Sequence, residues 1–565
     1  MEHESQCAAT PVSDRRVRVA NPAATSVWWM RFSDAHPTIH RRYGPLDALS
    51  SSSSGRSPAA SETSPTSGSR RNSRPGLEMQ QFSPQEMIAP QSVMHSISVN
   101  LGASTEDIFV GESSSSSADL KSDVVERGLL AEEQARSIYE RFMTGSKNFL
   151  PLFDPIRDTF DSIRSRSPFC FSVVLYLASR AVPEFRGDGH LQRVLQDEAQ
   201  RLAEDSFFER PTKLETVQGM ILLAAYSEKT WFSTALILRT ALDSGLEKSL
   251  DRLLAQTEMP RSYISASLED RMLVWQTRTW LISFTLELDV ASGTGRKSRL
   301  SEVDMVKLRQ FLEYPLSLPS DMRNVCIIEL HQLRARSRLI IESSSVDHLT
   351  AVELPAVMVR LQSWWTSWDE IHDHNGFHAG AFQRCSLKLM LNYAKIYVLC
   401  ASIARIQKLD STWECDSLWK SLVEVIMNQL ALLVQETAYR CQLTWAPTYP
   451  ALTIAFVTTF AVRIARWRPS LIDQTLLLHR AQQISEFIKQ PPYPDIHRTV
   501  SIFVRYASLP TDQPETNQPE LEETVDEPST GTANGNGMNW TMADSFGLFE
   551  EGQTDVFDFL PAMPS

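Results

Sequence analysis

Cysteine is sparse in this chain and scattered: seven occur in 565 residues, at positions 7, 170, 326, 385, 400, 415 and 441. An odd number spread through apolar stretches does not make a disulfide framework, and buried free thiols in a reducing compartment fit them best. Long apolar runs are also missing. The longest, 219–225 and 454–464, fall short of the roughly 18–20 residues that cross a bilayer, so no membrane partner is expected. The opening stretch MEHESQCAATPVSDRR has no apolar signal core, and secretion is not expected. No Gly-x-Ser-x-Gly elbow, dinucleotide fingerprint or helical zinc-protease motif occurs, so nothing asks for an enzyme. No segment alternates as a strand does between turn signals, and no repeat of fixed period is present. These two absences leave an all-α fold without solenoid regularity.

Charge of one sign is absent from one end. Residues 511–565 hold twelve Asp and Glu but no Lys or Arg. Removing them from the totals of 68 acidic and 55 basic residues leaves 56 against 55, so the net charge of -13 falls to -1 for the rest. The body is neutral and the acidity belongs to a tail. At the other end, eleven of the 24 residues from Ser50 to Ser73 are serine. Such a composition cannot bury enough apolar surface to offset chain entropy. Three regions follow: a disordered Ser-rich region over 1–121, an ordered body over 122–509, and an acidic disordered tail over 510–565.

Within the body the period is helical throughout. Helices are expected over about 131–143, 165–182, 190–206, 320–343, 353–372, 380–407, 415–440, 447–466 and 472–489, and 267–301 is expected to give a long helix ending in a Gly-rich loop. The organising element is a helical hairpin over 214–248. Its first helix carries Leu214, Val217, Ile221, Ala224 and Ala225 at helical spacing. Its second places Ala235, Leu238, Leu242 and Leu246 on one face, with Leu236 and Ile237 beside them, and ends near Gly245, which suits a left-handed cap. Apolar residues on more than one face mark these helices as deeply buried.

Few residues point to chemistry. His372, Asp373, His374 and His378 are ligand types for zinc, but the Asn375–Gly376 pair marks a turn and the first two imidazoles do not share a helix face, so a polar loop is expected. The stretch GTGRKS (293–298) lacks both the glycine spacing and the preceding strand of a phosphate-binding loop. Trp364, Trp365 and Trp368 sit at helical spacing and are expected in the core, where they could also line a cavity. No catalytic, cofactor or metal residue is therefore assigned. RRNSRP (70–75) makes Ser73 a candidate phosphosite. The C-terminal stretch 538–565 is richer. Trp540, Phe546, Leu548, Phe549, Val556, Phe557, Phe559 and Leu560 lie among Asp544, Glu550, Glu551, Asp555 and Asp558. Acidic neighbours keep such aromatics solvated and free to engage a groove on a partner. We read the segment as an activation segment that contacts a coactivator or the transcription machinery.

Five stretches carry a family likeness. The run from Gly128 through Pro155 resembles the opening of the regulatory (middle homology) domain of fungal zinc binuclear cluster transcription factors. SPFCFSVVLYLASR (167–180) is similar to that family's next helix, and LETVQGMILLAAYS with LRTALDSGL to its hairpin. TRTWLISFTLELDVASGTGRKSRL (277–300) resembles its Arg-x-Trp helix and Gly-Arg loop. WWTSWDEIHDHNGFH, followed by LMLNYAKIYVL, resembles a later stretch. The resemblance covers roughly 125–490. It implies a nuclear transcription regulator, an activator governing a metabolic or secondary-metabolite pathway, with dimerisation or effector sensing in the helical body. The rival reading is a helical small-molecule-binding protein or enzyme with no transcriptional role. The family's zinc module needs six cysteines within about 30–40 residues, whose thiolates hold two tetrahedral ions; before Cys170 only Cys7 is present. No cofactor is therefore expected in this chain. Zinc, and direct contact with promoter DNA, are expected only if an upstream exon supplies the cluster; otherwise a DNA-bound partner is required.

Overall fold

The computed structural model describes residues 123–208, 211–227, 233–255, 266–293, 298–409 and 415–508. Ser73 and the segment 538–565 lie outside these residues, as does 294–297 of the Gly-rich loop. Among the described residues every regular element is helical and no strand occurs. The fold is all-α.

The longer helices are, in chain order, α1 (Glu132–Ser146), α2 (Phe160–Arg166), α3 (Pro168–Ala181), α4 (Gly189–Phe208), α5 (Leu214–Ala225), α6 (Ser233–Asp243), α7 (Ser249–Leu254) and α8 (Leu268–Gly293). They continue as α9 (Met305–Glu313), α10 (Asp321–Ser343), α11 (Leu354–His374), α12 (Phe382–Leu409), α13 (Asp416–Gln435), α14 (Thr448–Trp467), α15 (Gln474–Phe487) and α16 (Pro494–Ala507). Local chemistry sets many of their ends. Ser167 accepts the backbone N–H of Cys170 (3.2 Å) while Pro168 opens α3, where a missing N–H costs nothing. Ser267 and Asp270 cap α8 reciprocally, each side chain accepting the other's backbone N–H at 3.0 Å. Gly245 follows α6 at φ 69°, the left-handed geometry expected of it.

Packing begins with α3, buried on nearly all sides among α1, α4 and α5. α5 continues onto α8, α8 onto α10, and α10 onto α12; α11 and α13 flank α12, while α14 to α16 pack on one another at the C-terminal end. One continuous apolar core runs through these contacts. The hairpin α5–α6 is part of that core, but α8 is its spine: eighteen of its residues are buried. Where helices cross closely, size is restricted. A Cβ built on Gly219 of α5 would stand 2.6 Å from the ring of Phe169, itself fully buried in α3. Gly219→Ala is therefore expected to destabilise the body by about 1–3 kcal/mol despite alanine's better helix propensity, read as a lowered urea midpoint; an unchanged midpoint would mean that α3 and α5 separate freely.

Several expectations are corrected. In α6 the buried face is Thr234, Ile237, Leu238 and Ala241, whereas Leu236 and Leu242 are 40% and 43% exposed. The stretch is apolar on more than one side, so periodicity permits both settings, and contact with α8 selects one. His372, Asp373 and His374 belong to the last turn of α11, and the chain leaves the helix only at Asn375, with Gly376 at φ 84°. Helices α2, α9 and α16 were not expected as separate elements; α2 and α9 are short, whereas α16 spans a full 14 residues and buries Ile496, Val500 and Phe503 on one face. Uninterrupted runs also understated hydropathy: by length and composition α12, α13 and α14 are long and apolar enough to cross a bilayer. In α12 and α14, 78% of the apolar window is already buried inside the fold, and in α13 39%. Cys170, Cys326, Cys385, Cys400 and Cys415 are buried free thiols, as expected.

Candidate functional site

Two groups of buried polar residues stand out against the apolar core. The first is centred on Arg278 of α8, only 1% exposed. Its Nε and Nη2 donate to the two carboxylate oxygens of Asp321, at 2.7 and 2.9 Å, in the bidentate geometry that suits guanidinium to carboxylate. Asp321 begins α10 and also accepts the backbone N–H of Leu318 at 2.8 Å. Asp154 lies 3.8 Å from Nη1 of Arg278 and accepts the indole N–H of Trp275 at 3.1 Å. Arg157 stacks on Trp275 at 4.3 Å and pairs with Glu215 of α5, and Arg166 donates to Asp158 at 2.6 Å. These contacts fasten the irregular segment after α1 to α5, α8 and α10. Every charge has an opposite partner, so the group is a structural weld. It also explains the Arg-x-Trp motif: Arg278 holds the weld, and Trp280 faces the apolar core.

The second group surrounds a cavity between α8, α10 and the first turn of α14. Its volume is about 50 Å³, and its walls are mainly aliphatic, among them Leu150, Ile282, Leu286, Ile327 and Leu452. Its polar lining is Asp289, Arg323, Asn324, Thr285, Thr448 and Tyr449. The three hydroxyls are committed. Thr285 donates to Leu281 O at 2.9 Å, Thr448 to Ser227 O at 2.8 Å and Tyr449 to Ser292 Oγ at 3.0 Å.

The other three have capacity to spare. Arg323 donates from Nε to Phe149 O at 3.0 Å and from Nη1 to Ser386 Oγ at 2.8 Å, and lies 5.5 and 5.6 Å from the rings of Phe149 and Phe382. Its Nη2 makes no hydrogen bond and no direct ion pair among the described residues, and the Asp289 carboxylate acts on it only through space. Burial lowers its pKa from the usual arginine range. Asn324 is 3% exposed, and its amide nitrogen has no hydrogen-bond partner. Asp289 is held through Oδ1 by Nε2 of His331 at 2.9 Å, leaving Oδ2 without a partner among the described residues. Burial lowers the pKa of His331, so this imidazole is held towards its neutral form. Behind it Arg334 donates to Ser292 Oγ at 2.5 Å and stacks 4.3 Å from the Tyr397 ring.

None of Asp289, Arg323 and Asn324 was singled out in the sequence. One signal was legible: Arg323 sits on a helix with no acidic residue three or four positions away on either side, so no neighbour on its own helix face pairs with its charge. Residues that were singled out go elsewhere. Trp364 and Trp368 are core side chains, donating to Cys326 O (3.2 Å) and Glu329 Oε2 (2.6 Å), and neither lines the cavity. The imidazole-rich cluster does not converge. His372 is buried, bonded to Trp368 O at 2.7 Å with its pKa lowered to about 4 by burial, while Asp373 pairs with Arg384 and His374 is exposed. Nor do the residues fit a zinc cluster. Among the described residues no three His, Cys, Asp or Glu are grouped to hold a metal, and the five free thiols are buried, four on three different helices and Cys415 just before α13.

No family model matches the chain, and no solved structure does. It is 24% identical over 285 residues to protein priB of Lentinula edodes, an alignment covering 49% of this chain and 45% of that protein. The chain thus spans less than half the length of this curated relative, and the likeness to a fungal protein is distant.

Proposed function

We propose that this chain is a transcription regulator of the fungal zinc-cluster type, an activator working in the nucleus on a metabolic or secondary-metabolite pathway. The observation that carries this reading is the acidic tail set with aromatics: Trp540, Phe546, Phe549, Phe557 and Phe559 stand among acidic residues without a single Lys or Arg from 511 onward. Solubilising tails have no use for so many aromatics, whereas a segment that folds into a coactivator groove needs them as anchors. Five family-like stretches in family order, and the distant similarity to a fungal protein, support the same reading. The helical body would regulate, through dimerisation or effector binding, and the tail would recruit. Promoter DNA would be reached through a partner or a zinc cluster encoded upstream, since this chain has no six clustered cysteines.

Fusing residues 511–565 to an unrelated DNA-binding domain is expected to activate a reporter, and replacing Phe557, Phe559 and Leu560 together by alanine to remove most of that output. A silent fusion, present in the nucleus at normal abundance, would remove the main support for an activator. An output that survives the triple replacement would show that acidity alone is responsible.

A further inference from the structure

We infer that the cavity between α8, α10 and α14 is a binding site for a small aliphatic acid that also carries a hydroxyl or amino group. The inference goes beyond the transcriptional reading and stands without it. Its starting point is an imbalance of polar capacity. Buried polar groups are normally paired, and each unpaired donor carries a desolvation cost of about 1–3 kcal/mol. Here one short wall of α10 presents two adjacent side chains with unused donors: the amide nitrogen of Asn324, buried without a partner in a residue only 3% exposed, and Nη2 of the half-buried Arg323, which makes no hydrogen bond. Both line the same cavity. A guanidinium beside an amide donor is suited to a carboxylate, because two oxygens can accept from both at once.

The facing wall adds the second requirement. Asp289 of α8 lines the same cavity with one oxygen taken by His331 and the other unused. A bare carboxylic acid would leave that oxygen unpaired and meet its charge. A ligand with a hydroxyl or amino group next to its carboxylate presents a donor to Asp289 and acceptors to Arg323 and Asn324 together. The remaining lining is aliphatic: Leu150, Ile282, Leu286, Ile327 and Leu452. Ordered water would prefer polar surroundings on all sides, whereas a few polar groups at one end of an apolar cavity are the composition of a ligand site. The cavity, about 50 Å³ in volume, suits a small molecule with a short branched chain and excludes a nucleotide or a sterol.

The cavity also touches the elements that would respond. Ala225, at the end of α5, and Pro447 to Pro450, at the start of α14, form part of its wall, and Thr448 is tied to the residue just after α5 through Ser227 O. Occupation would stiffen the junction between the hairpin and the C-terminal helices.

The test uses the purified full chain with three probes: α-hydroxyisovaleric acid, isovaleric acid and isoamyl alcohol. Calorimetric titration and thermal melting are expected to show saturable binding of the hydroxy acid, weaker binding of the plain acid, and none of the alcohol. Arg323→Gln is expected to weaken the hydroxy acid by about tenfold or more, the loss of a charge-assisted pair. Asp289→Asn should remove the preference for the hydroxy acid over the plain acid. Arg336→Gln, which removes an exposed ion pair with Glu302, should change nothing. The ranking of probes on the unaltered chain is itself decisive, so a variant that fails to fold does not blunt the test. Alcohol binding as well as the acids, no saturable binding by any probe, or full affinity in a folded Arg323→Gln protein would each overturn the site and leave a cavity holding water only. None of these results bears on whether the tail activates transcription.

Discussion

Asp321→Ala is expected to lower the stability of the helical body by about 3–5 kcal/mol, the cost of leaving a buried charge without its partner. Arg278 is 1% exposed, and Asp321 supplies both of its short ionic hydrogen bonds, at 2.7 and 2.9 Å. Asp154, 3.8 Å away, already accepts from Trp275 and is too distant to replace it. The loss has a second component, because Asp321 also accepts the backbone N–H of Leu318 before α10. Measured as a shift in the urea midpoint, the effect should largely vanish in the double replacement Arg278→Met with Asp321→Leu, which removes both charges and fills the space with apolar atoms. An Asp321→Ala protein as stable as the parent would mean that water reaches Arg278. In that case the weld would not hold the segment after α1 in place.

The second large effect is expected at Trp368, which is fully buried on α11. Trp368→Ala should cost about 3–5 kcal/mol through lost apolar contact and the space left behind. The residue also organises charge. Its indole N–H donates to Glu329 at 2.6 Å, and Arg309, which pairs with Glu329 at 3.1 Å, lies 5.0 Å from its ring. Trp368→Phe therefore separates the two contributions: it keeps most of the ring and removes the donor, and a cost of about 1–2 kcal/mol is expected. Trp365, one of the same tryptophan cluster, is partly exposed, and Trp365→Ala should cost clearly less than Trp368→Ala. Equal losses at the two positions would contradict the assignment of the α11 face.

What sequence alone determined was local. The all-α class, the positions of most helices, the Ser167–Pro168 start and the left-handed turn at Gly245 all depend on residues within four or five positions of one another. Helical periodicity and capping are interactions of that range. The hairpin's existence was legible for the same reason. The setting of its second helix was not: Leu236, Leu242 and Ile237 are equally apolar, and only the presence of α8 decides that Ile237 turns inward while the two leucines stay near solvent. His372 likewise stood at the end of an expected helix among polar neighbours that suggested a loop, yet it is buried by packing against Trp368 and Phe377.

The candidate site was almost wholly a product of tertiary structure. Asp289, Arg323 and the Pro447–Pro450 segment are far apart in the chain, and no spacing or motif ties one to another. The same holds for Arg278 and Asp321, 43 residues apart. A carboxylate and a guanidinium attract wherever the fold brings them together, and no periodicity records which pair will meet. Sequence could therefore say that polar residues stood within buried helices. Only the packing of α8, α10 and α14 decided which of them were satisfied by a partner and which were left with unused capacity around a cavity, because burial is a property of neighbours that the chain supplies from a distance.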